Sequence, residues 1–116
     1  MCLSARRAVT VLKELAPFSV RVAKIFPKQG SMEEQTNQLE SGSFGFAVCT
    51  PHRILSLAKQ DSISFEHTEL LVVDTFRDSK MFSVDTLPDT APHAQELLQY
   101  IQPECKKRKN LRIALL

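Results

Sequence analysis

The sequence is poor in glycine, and this shortage excludes one large class of nucleotide-binding site. Three of the 116 residues are glycine, at positions 30, 42 and 45, and none of them is followed by lysine. A phosphate-binding P-loop needs a glycine-rich turn that leads into Gly-Lys-Ser/Thr, so that backbone N–H groups and an ammonium group surround the phosphates. The sequence therefore contains no P-loop.

Long apolar runs and paired cysteines are also missing. No apolar stretch approaches the ~20 residues that cross a bilayer, and residues 1–16 form an arginine-containing amphipathic pattern instead of the apolar segment of a signal peptide. The three cysteines, at positions 2, 49 and 105, lack the spacings of zinc sites and redox motifs. We expect a protein without a membrane partner, whose thiols stay reduced in the cytosol or nucleus.

Neither sign of charge is in large excess. Fifteen Lys and Arg against thirteen Asp and Glu give a net charge of +2, which is too small for the whole surface to attract nucleic acid. Basic charge is local instead, at Arg6 and Arg7 and in the run 106–109. With 43% hydrophobic and 24% charged residues, the composition is that of an ordinary globular domain with a single core.

Apolar residues at helical spacing predict four helices. The first covers residues 4–16, with Ser4 as its N-cap, and the last covers residues 93–101. The second begins with a capping-box sequence at residues 31–34. The third begins at residues 50–51, because Thr is a good N-cap and Pro is favoured at the first helical position.

The intervening apolar segments predict strands at residues 20–26, 44–48, 70–73 and 111–116. The two middle strands are almost wholly apolar, which is typical of strands buried on both faces of a sheet. Because helices and strands alternate, we expect an α/β fold with a parallel sheet and helices on both faces. Residues 1–3 fit the end of a further strand, and residues 75–91 have no regular pattern.

Three polar segments follow the predicted ends of strands. They are residues 4–7, 50–53 and 74–78. In parallel sheets the carboxyl ends of the strands form the edge that faces a ligand. We therefore expect the three segments to share that edge.

The same three segments, in this order, resemble motifs of the DEAD-box RNA helicases. Residues 4–7, Ser-Ala-Arg-Arg, resemble the motif Ia region. Residues 49–54, Cys-Thr-Pro-His-Arg-Ile, resemble motif Ib, and residues 70–74, Leu-Leu-Val-Val-Asp, resemble the strand that leads into motif II. The resemblance implies that residues 1–116 are a single partial RecA-like domain, truncated at its amino terminus and lacking the P-loop.

A closer resemblance is to the Cms-type ribosomal small-subunit proteins, degenerate helicase-like factors of the early small-subunit pre-ribosome. It rests on the order and spacing of residues 24–28, 33–35, 39, 46–54, 76–78 and 111–116. This resemblance implies a role in small-subunit ribosome biogenesis and rRNA processing. It also implies a nuclear, nucleolar location, with pre-ribosomal RNA and small-subunit pre-ribosome proteins as partners.

Departures from the helicase motifs argue against catalysis. The Asp-Glu pair of an active helicase is Asp74-Thr75 here, and a threonine cannot replace a carboxylate base. His52, His67 and His93 lack metal-ligand spacing. We expect no catalytic residue, no metal site and no cofactor, and we interpret the motif II-like Asp74 as a strand-end residue that bonds to nearby backbone.

An RNA-backbone site is predicted at the two helix starts. Its predicted contact residues are Ser4, Ala5, Arg6, Arg7, Thr50, Pro51 and Arg53. Helix N-termini offer free N–H groups to phosphate, and arginines add charge-assisted bonds. Such contacts hold the backbone without reading bases.

Simpler interpretations of these residues stay open. Residues 50–51 are also explained as a helix start, and Arg53 has Glu66 and Glu69 as possible ion-pair partners. The run 106–109 fits an RNA contact, a nuclear-localisation signal or a solvated connection.

Three functions follow from these interpretations. We expect a non-catalytic RNA- or protein-binding scaffold. The second is a fragment of the first domain of an active DEAD-box ATP-dependent RNA helicase, whose nucleotide loop lies upstream of Met1 and restores ATP binding. The third is a purely protein-binding module, which would lack affinity for single-stranded RNA even at low salt.

Overall fold

The computed structural model describes residues 1–107 and 111–116. Helices and strands alternate along them in the order α1 Ala5–Leu15, β1 Val22–Ile25, α2 Met32–Ser41, β2 Phe46–Cys49, α3 Pro51–Lys59, β3 Leu70–Val73, α4 Ala91–Lys107 and β4 Arg112–Leu115. Short 3-10 turns follow α1 and β1, at Ala16–Phe18 and Pro27–Gln29. The alternation predicted from the apolar pattern is confirmed.

Local sequence explains where the helices begin. The Ser4 hydroxyl caps α1 by accepting a hydrogen bond from the Arg7 N–H at 3.2 Å. Ser31 and Glu34 form the predicted capping box, in which each side chain accepts a bond from the backbone N–H of the other residue. Pro51 is the first residue of α3, where a missing N–H costs nothing because that group has no partner within the helix.

All observed strand pairs are parallel. β1 pairs with β2, so that Val22 lies opposite Phe46, and β3 pairs with β4, so that Leu70 lies opposite Arg112. The chain passes through α2 between the first two strands and through α4 between the last two. Both units are therefore βαβ crossovers, and the predicted α/β class is confirmed. The described residues form two two-stranded parallel sheets where a single sheet was predicted.

The first three residues lie between the two strand pairs and join them. The Cys2 N–H donates to the Cys49 carbonyl at the end of β2, at 2.7 Å. On the other side, the Met1 amino group donates to the Val72 carbonyl at 2.8 Å, and the Asp74 N–H donates to the Met1 carbonyl at 3.0 Å. The segment is buried and bonds to both strand pairs, as an extended central segment does. The sequence predicted the end of a further strand here but not its central position.

Helices cover both faces of these strands. Successive residues of a strand point to opposite faces. Ile25 packs in a cluster that includes Leu57 of α3 and Leu97 of α4, whereas Phe26 packs in a second cluster that includes Ala8 of α1. The two faces therefore have separate cores, one beneath α2, α3 and α4 and the other beneath α1.

The middle strands are less buried than their apolar sequences predicted. Val48 and Cys49 at the end of β2 are buried, but Phe46 at its start is exposed. In β3, Val73 is buried and Leu70 is exposed. The prediction of burial on both faces is wrong for the first half of each strand, because the covering helices pack mainly against the second half.

The outer strand β4 forms an open edge. Arg112 and Leu116 direct their N–H groups to carbonyls of Glu69 and Val73. In a parallel ladder the intervening residues, Ile113 and Leu115, then point their backbone groups away from β3. No strand in the described part of the chain lies on that side, and the Ile113 and Leu115 side chains are exposed.

Helix α4 is longer than predicted. It runs from Ala91 to Lys107, past Pro103, where the sequence predicted residues 93–101. Its last turn contains Lys106 and Lys107 of the basic run, and the other two residues of that run lie outside the described residues. Among the described helices, none combines the length and the apolar character that a membrane span requires.

Gln35 of α2 is a buried polar side chain that links three parts of the fold. Only 2% of its surface is exposed. Its Nε2 group donates to the carbonyls of Lys24 and Phe26 at 3.1 and 2.9 Å, and its Oε1 accepts from Arg53 Nη1 at 3.1 Å. Arg53 Nη1 also donates to the Gly30 carbonyl at 2.8 Å. The network fixes α3 against the end of β1.

Replacing this amide should destabilise the fold. Gln35→Leu keeps an apolar volume but leaves two carbonyls and a guanidinium group without their partner, so we expect the free energy of unfolding to fall by ~2–4 kcal/mol. Urea denaturation measures this change. The exposed Gln38, one turn further along α2, gives the control Gln38→Leu, for which we expect a change below ~0.5 kcal/mol. Equal stabilities of the two variants would contradict the role assigned to the network.

Candidate nucleic-acid interface

The three polar segments at the strand ends share one edge of the molecule, as predicted. Arg7 of the first segment is bonded to Asp74 of the third. Ser4 of the first segment and Thr50 of the second line the same cleft. The parallel topology brings them together because each follows the carboxyl end of a strand or of the strand-like residues 1–3.

The cleft lies between the N-termini of α1 and α3 and has a volume of about 310 Å³. Its lining residues are Leu3, Ser4, Ala5, Pro27, Lys28, Thr50, Pro51, His52, Asp89 and Thr90. Four of the seven predicted RNA-contact residues are in this lining: Ser4, Ala5, Thr50 and Pro51. The other three are arginines with different surroundings, described below.

Both helices present unbonded N–H groups at this cleft. The first N–H groups of a helix have no carbonyl partner within it, and the helix dipole is positive at that end. In α1 the Ser4 hydroxyl satisfies the Arg7 N–H, which leaves those of Ala5 and Arg6. In α3, Pro51 has no N–H, so the group of His52 is the first one available. Two such helix ends together favour an anion.

Thr50 is a buried residue that lines the cleft. The residue is 8% exposed and stands at the N-cap position of α3, yet its side chain makes no capping bond. The predicted Thr50 side-chain cap is therefore wrong; Pro51 already fixes the backbone at the helix start. Within residues 1–107 and 111–116, the Thr50 hydroxyl has no hydrogen-bond partner. A buried hydroxyl without a partner is costly, and an acceptor in the cleft would remove that cost.

Arg7 is held inside an ion pair. Its Nε lies 2.7 Å from Asp74 Oδ2 and its Nη2 lies 3.4 Å from Asp74 Oδ1. The two side chains are only 20% and 12% exposed. The hydrogen bond to Asp74 raises the pKa of Arg7 above its usual value. Asp74 Oδ1 also accepts the Phe76 N–H at 3.3 Å, so the interpretation of Asp74 as a backbone-bonding residue is correct but incomplete.

Arg53 also points into the fold. Its observed partners are the Gly30 carbonyl and Gln35 Oε1, and the alternative ion pair with Glu66 or Glu69 is wrong. The reason is the buried Gln35 oxygen, which needs a donor that only a long side chain from α3 supplies. Arg53 therefore holds the start of α3 in place beside the cleft.

Arg6 and Lys28 are exposed cations at the two turns nearest the cleft. Arg6 lies in the first turn of α1, and Lys28 lines the cleft from the 3-10 turn after β1. No ion-pair partner of either is found in the part of the chain that the structure describes. Asp89, which also lines the cleft, opposes their charge. Sequence reasoning missed Lys28, although its position directly after a predicted strand was the signal that could have found it.

Two histidines that appear scattered in the sequence are neighbours in space. The rings of His52 and His93 lie 4.6 Å apart, centre to centre, with their planes tilted by 56°. Among the described residues, no group of three or more His, Cys, Asp or Glu side chains is placed to hold a metal ion.

Cys2 is buried beneath this edge, and the burial gives a testable pH dependence. Burial raises the pKa of its thiol from 9.0 to about 11. The folded state therefore favours the protonated thiol, and this contribution to stability is complete below pH 9 and is lost as the pH rises towards 11.

We expect the stability advantage of the parent protein over Cys2→Ala to shrink between pH 9 and 11. Urea denaturation across that range measures it. Cys105→Ala, at a partly exposed cysteine, is the control substitution. Parallel profiles of unfolding free energy against pH for the parent and Cys2→Ala would contradict this expectation. They would show that the Cys2 thiol has the same pKa in the folded and unfolded states.

The Arg7–Asp74 pair should be strongly coupled. A double-mutant cycle with Arg7→Met and Asp74→Asn is expected to give a coupling of ~1–3 kcal/mol in the free energy of unfolding, since both groups are largely withdrawn from water. The exposed pair of Lys59 and Glu96 is the matched control, with an expected coupling below ~1 kcal/mol. Couplings of the same size would refute a special role for the first pair.

Comparison with known proteins places the chain in a family. The family model described as "CMS1: U3-containing 90S pre-ribosomal complex subunit" matches residues 1–115. Protein CMSS1 of Xenopus laevis is 30% identical over 118 residues, which cover 99% of this chain and 43% of the frog protein. Protein CMSS1 of Danio rerio is 33% identical over 92 residues, or 77% of this chain and 32% of that protein.

A fungal relative gives the same match. Protein cms1 of Schizosaccharomyces pombe is 33% identical over 90 residues, which cover 74% of this chain and 32% of the yeast protein. The chain thus spans less than half the length of each of these relatives. The resemblance inferred from residue order and spacing is confirmed, and the chain belongs to the CMS1 family.

Proposed function

We propose that this chain is a non-catalytic scaffold in small-subunit ribosome biogenesis that holds the RNA backbone in the cleft between α1 and α3. The pathway is supported by the description of the family, a subunit of the U3-containing 90S pre-ribosomal complex. Under this proposal the protein works in the nucleolus, and its partners are pre-ribosomal RNA and small-subunit pre-ribosome proteins.

The observation that carries RNA binding is the unpartnered Thr50 hydroxyl between two helix N-termini. A phosphate in the cleft would accept hydrogen bonds from that hydroxyl and from the first N–H groups of both helices. Lys28 within the cleft and Arg6 beside it would add charge-assisted bonds. Asp89 offsets part of this charge, so we expect moderate affinity that depends strongly on salt.

The two inward-pointing arginines have a positioning role in this proposal. Arg7 fixes the first turn of α1 to Asp74, and Arg53 fixes the start of α3 to Gln35 and to the Gly30 carbonyl. The direct contacts are then the helix starts at residues 4–6 and 50–52. The seven predicted residues thus form two groups. Those at the helix starts contact phosphate, and Arg7 and Arg53 hold these helix starts in place.

The proposal assigns no ATPase activity to these residues. Nucleotide hydrolysis needs a phosphate cradle, a metal-organising carboxylate and a residue that positions water. The sequence has no P-loop, and Asp74 is engaged by Arg7. The hydroxyl and the N–H of Thr75 are both bonded to the Leu116 carbonyl. A RecA-like ancestry is part of the same proposal, supported by the parallel strands and the shared strand-end edge.

Protein binding is the second candidate function, and the open edge of β4 favours it. Ile113 and Leu115 expose both side chains and backbone groups there. Exposed apolar sheet edges are frequent sites of association. This surface is separate from the cleft, so a scaffold with both contacts is consistent with the fold.

Salt-dependent RNA binding tests the cleft. The variant Arg6→Ala/Lys28→Ala removes two proposed phosphate contacts, so the slope of log affinity against log salt for a single-stranded oligouridylate should fall by ~1.4. Fluorescence anisotropy between 50 and 200 mM salt, roughly the range over which phosphate contacts dominate, measures it. The control Lys13→Ala/Arg21→Ala makes the same charge change at the other end of α1 and at the start of β1.

Thr50→Val tests the hydroxyl without changing charge. We expect affinity for the oligouridylate to fall roughly 3- to 10-fold, the cost of one hydrogen bond. Stability should stay the same or rise, because the variant removes a buried hydroxyl that has no partner in the described residues. Affinities equal to the parent's in both cleft variants would refute the proposed site.

A further inference from the structure

The loop after β3 places an aromatic ring against Arg7 at the strand-end edge. Phe76 is 44% exposed although it is a large apolar side chain. The guanidinium carbon of Arg7 lies 4.3 Å from the centre of its ring, so one side of the ring is covered by a cation. Part of the remaining surface of the residue is exposed to solvent.

This ring is held by an anchored backbone. The Phe76 N–H donates to Asp74 Oδ1 at 3.3 Å, and the Thr75 N–H donates to the Leu116 carbonyl at 2.9 Å. Asp74 is itself fixed by its ion pair with Arg7. An exposed aromatic side chain on a fixed loop presents a preformed flat surface, so little conformational entropy is lost when another ring stacks on it.

The ring is connected to the proposed phosphate site through Arg7 and Ser4. The Arg7 N–H is bonded to the Ser4 hydroxyl, and Ser4 lines the cleft. Ser4 and Arg7 are three residues apart, ~4.5 Å along the helix axis. The side chain of Arg7 extends from the first turn of α1 to the ring of Phe76.

We propose that Phe76 stacks on an unpaired base of an RNA strand whose phosphate occupies the cleft. This inference rests on the proposed RNA-backbone function and adds a selection for single-stranded over duplex RNA. Bases inside a duplex are covered by their neighbours, whereas an unpaired base offers a free face to an aromatic side chain. Stacking accepts every base, so no sequence preference follows from it.

The proposal also explains why an arginine and an aspartate meet at this edge. The pair supplies a cation beneath the ring and an acceptor for the Phe76 N–H. A guanidinium group against one face of the ring adds a cation–π interaction that holds the ring in place. Arg7 and Asp74 are therefore positioning residues for the stacking surface, and Phe76 makes the contact.

The test compares two exposed phenylalanines at opposite edges of the strands. Phe76→Ala removes the proposed stacking surface, and Phe46→Ala at the start of β2, where the ring is 47% exposed, is the matched control. For a single-stranded oligouridylate we expect Phe76→Ala to lower affinity roughly 5- to 150-fold, the range for loss of one stacked base. Phe46→Ala should bind as the parent does.

Further variants and probes separate stacking from other effects of the substitution. Phe76→Tyr keeps the ring and should restore parental affinity, whereas Phe76→Leu keeps only apolar volume and should not. The salt slope of Phe76→Ala should match the parent's, because stacking is not ionic. An RNA of equal length without bases should bind the parent and Phe76→Ala equally. In the parent, a blunt RNA duplex should bind more weakly than the single strand.

The outcomes distinguish the two proposals. Salt-dependent binding by the parent with no loss in Phe76→Ala, or equal affinity for duplex and single strand, would overturn the stacking proposal and leave the phosphate site intact. No binding of the parent to any RNA at low salt would overturn the proposed function, and the stacking proposal with it. Loss of affinity in Phe76→Ala with recovery in Phe76→Tyr supports both.

Discussion

The ion pair between Arg7 and Asp74 determines the shape of the strand-end edge. It joins the first turn of α1 to the end of β3, residues that are 67 positions apart in the chain. Because both groups are largely shielded from water, the charge-assisted bond is stronger than it would be on an open surface. The position of α1, the conformation of the loop after β3 and the orientation of Phe76 all depend on this contact.

Under the proposed function, the same pair accounts for a binding role in place of a reaction. A strand-end aspartate is the residue type that organises a metal ion in nucleotide hydrolysis. Here its carboxylate is bonded to a guanidinium group and to a backbone N–H. The charge of Asp74 is thereby compensated within the fold, and the edge gains binding groups from helix starts and exposed cations instead. Function in this chain resides in the site and not in the architecture.

The features that the sequence predicted depend on contacts between residues close together in the chain. The features that it missed depend on contacts between residues far apart in the chain. The α/β alternation and the capping box at Ser31 were predictable because their signals lie within a few residues. The meeting of the strand-end segments followed from parallel topology alone. The partners of Arg7 and Arg53 could not be predicted from the sequence. A sequence shows that an arginine is present, but tertiary packing decides which acceptor the arginine reaches. Strand burial was overestimated for the same reason, because the reach of a covering helix is a tertiary property.

The central position of the first three residues has a consequence for the order of folding. Each βαβ unit closes over a short stretch of chain, whereas the Met1 amino group bonds to a carbonyl 71 residues away. Contacts between distant residues form late because loop closure costs more entropy. We therefore expect the two crossover units to form before residues 1–3 pack between them.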